Sequence, residues 1–342
     1  MINNSITDVP GITVGHAHDL EAITGCTVVL CEDGAVGGVD QRGGGPGSRE
    51  IALLDPVNNI QKIHGVMLSG GSAFGLDAAG GAMQYLEENG IGYQTQVARV
   101  PIIPSAILFD LNIGDPNIRP DKQMGYQACL NATDQPPAQG SVGAGTGAAV
   151  GKLLGLGQAT KGGIGTASME IGGGIIVGAI VAVNAIGDVI DPQTNQIIAG
   201  TRSVRKGPIS IGGDQVFADS LSILRSLVGR TLLGLASKAN TVIGVLATNA
   251  RFDKAQTNKL AQMAQNGVVR TIRPAHTMHD GDTIFAMSTG EKKGDLNIVG
   301  AFAAQVMAEA VLNAVRKATS LGGVPAISDL TADQGEANTA VQ

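Results

Sequence analysis

The sequence contains no tryptophan, and aromatic residues make up only 3% of its 342 residues. Charged residues are scarce at 15%, the net charge is −6, and no basic cluster reaches the size of a nucleic-acid surface. We therefore expect no nucleic-acid partner.

The cysteines, Cys26, Cys31 and Cys129, are odd in number and lack metal-ligand spacing. This pattern favours reduced core thiols and a cytoplasmic location.

Targeting segments, membrane spans and metal sites are also unsupported by the sequence. Residues 1–10 are polar and contain no apolar signal region, so we expect no secretion. Residues 171–187 carry no charge, but this stretch is short for a membrane span of ~20 residues and is rich in glycine. We expect a strand there and no membrane association. His276 and His279 are close in sequence, yet no Cys or Glu completes a zinc set, so we expect no metal and no cofactor.

Glycine is abundant, with 50 residues, and hydrophobic residues make up 43% of the chain. Apolar runs between the glycines predict strands rather than disorder. Predicted strands cover 26–31, 35–40, 64–69, 101–111, 162–168, 172–183, 268–272 and 283–288, with a turn at Gly34. One predicted helix follows the glycine-rich segment at 69–79 and ends near Glu88. Further predicted helices cover 120–132, 253–266 and 297–320, and a basic helical segment covers 232–238.

Three glycine-rich loops are candidates for close approach to a ligand, at residues 42–50, 69–79 and 140–151. The third loop precedes Lys152 and is suggestive of a phosphate loop. The Walker spacing fails, because Thr146 stands where the first glycine should be and Leu153 follows the lysine. Lys152 is then either a surface lysine or a lysine held near a reaction centre. A nucleotide-binding or small-molecule-binding module remains an alternative.

The polar pair Asn240-Thr241 stands directly before an apolar strand pattern that starts at Val242. Thr241 is either the first residue of that strand or, after a cut in the chain, a new N-terminus. A free α-amine has a pKa of roughly 7.7–8.0, so it can accept the hydroxyl proton of its own threonine near neutrality. No G-x-S-x-G elbow occurs that would support a serine triad instead.

Two further polar motifs have both a structural and a chemical interpretation. Asp280-Gly281-Asp282 is a turn sequence, and paired carboxylates there can also share a proton or orient an ammonium group. Asn184 follows an apolar strand and is either a turn residue or an amide that faces a developing oxyanion.

Together these motifs resemble the DmpA-type family, which includes L-aminopeptidase/D-Ala-esterase/amidases, β-peptidyl aminopeptidases and the nylon-oligomer hydrolase. The resemblance is carried by residues 70–79, 240–249 and 280–286, in that order, and covers nearly the whole chain. It implies an α/β (α+β) fold, a four-layer αββα sandwich similar to N-terminal-nucleophile hydrolases. It also implies one domain at 1–320, self-cleavage into 1–240 (α chain) and 241–342 (β chain), and a flexible tail at 321–342.

The resemblance also implies roles for individual residues. Thr241 matches the nucleophile, Asn184 the oxyanion residue, Lys152 a lysine of the nylon-hydrolase branch, and Asp280 and Asp282 its carboxylate pair, which orients the nucleophile. The implied function is an amide hydrolase, an aminopeptidase, amidase or esterase, that cuts its Asn240–Thr241 bond and then acts on small peptides or amides. We expect a homo-oligomer, a tetramer or larger. A family member without peptidase activity is an alternative.

The expected substrate pocket includes one departure from the family pattern. Phe109 stands where many relatives have a tyrosine, so a hydroxyl that would bind substrate or oxyanion is missing. Gly71 and Ser72 open a predicted helix, where backbone N–H groups can hold a carboxylate or an oxyanion. We place all three residues in the expected pocket.

Overall fold

The computed structural model of the chain describes residues 2–206, 209–226 and 240–330. The helices are α1 (Ala78–Glu88), α2 (Lys122–Leu130), α3 (Ser220–Arg225), α4 (Lys254–Thr271) and α5 (Leu296–Arg316). The strands are β1 (Thr13–Asp19), β2 (Thr24–Gln41), β3 (Ser48–Arg49), β4 (Lys62–Ser69), β5 (Tyr93–Gln94), β6 (Arg99–Val100), β7 (Ser105–Ile107), β8 (Ala149–Val150), β9 (Thr160–Lys161), β10 (Gly163–Glu170), β11 (Ile176–Asn184), β12 (Asp188–Ile190), β13 (Ile197–Ala199), β14 (Val204–Lys206), β15 (Ile209–Ile211), β16 (Thr241–Ala250), β17 (Ile272–Arg273) and β18 (Thr283–Lys292).

The main sheet has nine strands, ordered β10-β11-β16-β18-β2-β4-β7-β3, with β1 paired to β2. The pairs β16–β18 and β4–β7 are parallel, and the other pairs in this sheet are antiparallel. Successive side chains of a strand point to opposite faces, so each central strand supplies two cores. On β16, Val242 and Leu246 face one core while Ile243 and Val245 face another.

Three apolar cores separate four layers. The first core packs α4 and α5 against β10, β11, β16 and β18. The second lies between the two halves of the sheet, where Ile243 and Phe285 share a cluster with Val29 and Val66. The third packs α1 and α2 against β2 and β4. The αββα sandwich is thereby confirmed.

Local sequence explains the two long helices of the first layer. Asp253 caps α4 in a capping box with Gln256, and Asp295 caps α5. At the crossing of these helices, a Cβ on Gly267 would lie 2.4 Å from the carbonyl oxygen of Ala304, so only glycine allows this approach. Among the described residues, α5 is the only helix long and apolar enough to be considered for a membrane span, and it is largely buried in the first core.

Several strand predictions are wrong in extent. The predicted strands at 26–31 and 35–40 form one long strand, β2, in which the register shifts between Leu30 and Ala35, so Gly34 lies in a bulge. The predicted strand at 268–272 is helical until Thr271, because the buried side chain of Val268 packs into the first core. Residues 101–111 contain only the short strand β7.

The remaining predictions concern the polar segments. The polar stretch at residues 191–215 contains the short strands β13, β14 and β15. The predicted helical segment at 232–238 lies outside the described residues. Within the predicted tail at 321–342, Val324 and Ala326 are buried, and residues 331–342 lie outside the described part of the chain.

Candidate active site

Four parts of the chain meet at one edge of the main sheet. Thr241, at the start of β16, is the register partner of Asn184, at the end of antiparallel β11. Because β18 runs parallel to β16, its preceding residues reach the same edge, where Asp280 bridges Asn240. The loop 42–47 leaves β2 there too, since Gln41 pairs with Thr283. The topology therefore brings together residues that are far apart in sequence.

Thr241 is buried, and its hydroxyl donates a hydrogen bond to the carbonyl oxygen of Asn240, the residue before it. The same carbonyl oxygen accepts the N–H of Gly281 at 3.0 Å. A hydroxyl thus lies beside the carbonyl that it would attack, and a backbone donor already holds the oxygen on which negative charge would develop. Nothing in the sequence pattern marks Gly281 as that donor.

The carboxylates of Asp280 and Asp282 are both buried at this edge. Asp282 accepts the N–H of Val242 at 2.8 Å, and Asp280 accepts the N–H of Thr277 at 2.6 Å. The Thr241 hydroxyl donates to the Asn240 carbonyl, so the orientation expected of this carboxylate pair is not exerted through that hydroxyl. Asp282 instead holds the N–H of Val242, the next residue of the strand.

Asn184 and Lys152 form a second buried cluster beside Thr241. The Lys152 Nζ donates to the backbone oxygen of Asn184 at 2.9 Å and to its Oδ1 at 2.8 Å. Asn184 Oδ1 also accepts the N–H of Ala149 at 3.0 Å, which fixes the amide orientation. Its Nδ2 group donates to the carbonyl of Phe109 at 3.0 Å. The structure therefore places Lys152 inside the protein and not on its surface.

The charges of this cluster are perturbed by burial. Desolvation lowers the pKa of Lys152 to about 7, although Asp280 and Asp110 oppose the shift. Burial, together with the neighbouring charge of Asp282, raises the pKa of Asp280. Such shifts are typical of functional sites, because a group that titrates near neutrality can both take and give a proton.

The expected pocket residues lie around a further buried carboxylate, which the sequence pattern does not mark. Asp110 is buried, and it accepts the N–H of Gly71 at 2.7 Å and the hydroxyl of Thr24 at 2.8 Å. The N–H of Ser72 donates to the backbone oxygen of Leu108, beside Phe109. The N–H of Gly71 therefore holds a carboxylate of the protein itself, and the N–H of Ser72 holds a backbone oxygen.

Of the other two glycine-rich loops, 42–50 lies against Asp280 and Gly281, and 140–151 is internal. Gly45 donates its N–H to the carbonyl oxygen of Asp280 at 2.8 Å. A Cβ on Gly281 would lie 2.9 Å from the carbonyl oxygen of Gly45 and 3.0 Å from Thr241 Oγ1. Residues 143–150 are buried, and N–H groups of this loop bond to protein acceptors, so it is not an open phosphate cradle.

No group of three or more potential metal ligands occurs among the His, Cys, Asp and Glu residues that the structure describes. His276, at the same edge of the main sheet, contacts a carboxylate instead. Its Nδ1 and its backbone N–H both contact Asp282.

The chain is similar to several known proteins along most of its length. It is 42% identical to an uncharacterized aminopeptidase of Mycobacterium leprae, with 94% of this chain and 92% of the relative covered. It is 31% identical to the 6-aminohexanoate-oligomer endohydrolase of Kocuria sp., with 90% and 85% covered.

Solved structures show the same fold at lower identity. The L-aminopeptidase D-Ala-esterase/amidase of Ochrobactrum anthropi, described as a variant of the Ntn hydrolase fold, superposes with a TM-score of 0.68 at 22% identity, covering 92% of this chain and 86% of that chain. The Burkholderia β-aminopeptidase gives 0.64 at 22% identity, with 96% and 94% covered. The family model of Peptidase family S58 matches residues 4–327. This chain therefore belongs to Peptidase family S58, the family of DmpA-type aminopeptidases.

Proposed function

We propose that the chain is a self-processing amide hydrolase that cuts its own Asn240–Thr241 bond and then uses Thr241 as an N-terminal nucleophile. The observation that carries this proposal is the contact of the Thr241 hydroxyl with the Asn240 carbonyl, whose oxygen also accepts the Gly281 N–H. Membership of an aminopeptidase family supports the same chemistry.

Self-cleavage proceeds in two steps. Thr241 Oγ bonds to the Asn240 carbonyl carbon, the bond from that carbon to the Thr241 nitrogen breaks, and an ester forms. The hydroxyl proton ends on the departing nitrogen, which becomes the α-amine. Water then hydrolyses the ester, releasing the Asn240 carboxylate and restoring the hydroxyl. The mature protein repeats this sequence on a substrate amide or ester, with the α-amine as base.

Lys152 supplies the base that the uncut chain lacks. Before the cut, the Thr241 nitrogen belongs to an amide and cannot accept a proton. A lysine whose pKa is lowered to about 7 is partly neutral at physiological pH, and its Nζ is bonded to Asn184, the register partner of Thr241. After the cut, a protonated Lys152 would favour the neutral form of the new amine by like-charge repulsion.

Asn184 holds this arrangement together. Its Oδ1 fixes Lys152 and Ala149, and its Nδ2 fixes the Phe109 backbone. We propose that it also helps stabilise the tetrahedral oxyanion, where loss of one donor typically costs about 10²–10³ in rate.

The proposed substrates are small peptides or amides. The names of the relatives support two substrate classes, aminoacyl amides and 6-aminohexanoate oligomers. We also propose a homo-oligomer, a tetramer or larger, which light scattering of the purified protein would test.

The experiment compares Thr241→Ala with Thr248→Ala, a buried threonine further along the same strand whose hydroxyl donates to the Ile176 carbonyl. We expect T241A to remain one chain and to lose hydrolysis of L-aminoacyl p-nitroanilides and 6-aminohexanoate oligomers. T248A should be cut and active. Cutting of T241A at residue 240 would refute the proposal. Cutting of the wild type without turnover of any amide would favour a member without peptidase activity.

A further inference from the structure

The loop that carries the two carboxylates also carries a histidine that the proposed mechanism does not use. We propose that His276 is a positioning residue that acts through Asp282 on the start of β16, and that both self-cleavage and turnover depend on it. The inference rests on the proposed function, because its readouts are the rates of those two reactions.

One carboxylate links His276 to the nucleophilic strand. Asp282 Oδ1 accepts the N–H of Val242 at 2.8 Å. Asp282 Oδ2 accepts the Nδ1–H of His276 at 2.8 Å and its backbone N–H at 3.1 Å. Asp282 is 2% exposed, so solvent offers no substitute for these donors. The ring of His276 therefore holds the carboxylate that in turn holds the residue after Thr241.

The ring has no other hydrogen-bonding role among the described residues. Its second nitrogen, Nε2, is buried and has no partner there. A buried polar atom without a partner is unfavourable, by roughly 1–3 kcal/mol. The bond to Asp282 is therefore the interaction that orients this imidazole.

The backbone of His276 is also in an unusual conformation, with φ +58° in the left-handed region. This region is uncommon for residues other than glycine, and such conformations cost on the order of 1–3 kcal/mol. At His276 the left-handed turn brings both the backbone N–H and the ring nitrogen onto the same carboxylate oxygen. The left-handed conformation of His276 therefore allows both of its contacts with Asp282.

Small displacements at this point affect chemistry. Asp282 tethers Val242, so a carboxylate free to rotate would let Thr241 move relative to the Asn240 carbonyl. A misplacement of about 1 Å can reduce a rate by about 10²-fold. The effect of His276 on the rate should therefore be large enough to measure.

Three substitutions test the proposal without adding backbone strain. Gly, Asn and Asp tolerate left-handed φ better than other residues. His276→Gly removes the side chain, and His276→Asn places an N–H donor where Nδ1 lies. His276→Asp has the shape of Asn but presents an acceptor to Asp282. Each chain is made by cell-free synthesis, the cut is followed by intact mass, and turnover of an aminoacyl p-nitroanilide is measured on the cut protein.

We expect H276G and H276D to slow the cut and to lower kcat by roughly 10- to 100-fold, with KM unchanged. H276N should recover most of the rate. A rate for H276G equal to wild type, or H276N as slow as H276D, would overturn the proposal. Because Asn and Asp have the same shape, their comparison is decisive even if H276G melts early.

A double-mutant cycle separates action through Asp282 from a general structural effect. Adding H276G to Asp282→Asn should slow the cut little beyond Asp282→Asn alone. If H276G slowed the cut in the Asp282→Asn background as much as it does in the wild type, His276 would act independently of Asp282, and the proposal would be overturned. Failure of the wild type to cut would instead refute the proposed function, and this inference with it.

Discussion

Replacing Lys152 with methionine should stabilise the fold below neutral pH while abolishing the cut. The Nζ of Lys152 is buried, and its pKa is lowered from 10.5 to about 7. The unfolded chain therefore binds more protons than the folded protein between those values, and the free energy of unfolding rises with pH across that window. For one such lysine the rise between pH 7 and pH 9 is about 2 kcal/mol.

The assay is urea denaturation of uncut chains at pH 7, 8 and 9, because cut and uncut proteins cannot be compared directly. All variants carry Thr241→Ala. From pH 7 to pH 9, the unfolding free energy of the T241A protein should rise by about 2 kcal/mol relative to that of T241A/K152M.

Lys161 is the matched control for the assay. It is fully buried, its pKa is also lowered to about 7 by burial, and its Nζ donates to the carbonyls of Gly145, Ala148 and Gly162. Lys161→Met should show the same pH dependence of stability. With Thr241 restored, only K152M should lose the cut by orders of magnitude. A pH-independent stability difference for K152M would refute the assignment of a lysine that titrates near neutrality.

Three further predictions concern Gly281, Asn184 and the buried cysteines. Gly281→Ala should slow the cut at least about 10-fold, since its Cβ would lie 3.0 Å from Thr241 Oγ1, whereas Gly157→Ala, with open space around its Cβ, should cut normally in the same time course. Asn184→Ala should lower kcat by roughly 10²-fold or more, and unchanged turnover in steady-state assays would remove it from the site. The buried cysteines, whose pKa values burial raises, should resist thiol reagents in the native protein and react after denaturation, so rapid labelling of folded protein would contradict their burial.

Periodicity located most long elements but not where they end or bend. Gly34 indicated a turn, yet β2 continues beyond it because both flanking segments pair with β4. Val268 indicated a strand by its β-branched side chain, but packing of α4 on α5 decides its conformation. These outcomes depend on tertiary contacts that a local window of sequence does not contain.

For the candidate site too, the sequence indicated which residues take part but not all of their contacts. The resemblance identified Thr241, Asn184 and Lys152, and the sheet register brings them to one edge. The sequence did not reveal that Asp282 contacts the N–H of Val242 and not the Thr241 hydroxyl. His276 was considered only as a metal ligand, because its contact with Asp282 depends on a left-handed turn that the residue pattern does not indicate.

The most direct test of the central claim is the intact mass of the purified wild-type protein under denaturing conditions. We expect two polypeptides, residues 1–240 and residues 241–342, with Thr241 at the new N-terminus. A single 342-residue species that stays whole over days at neutral pH would contradict it.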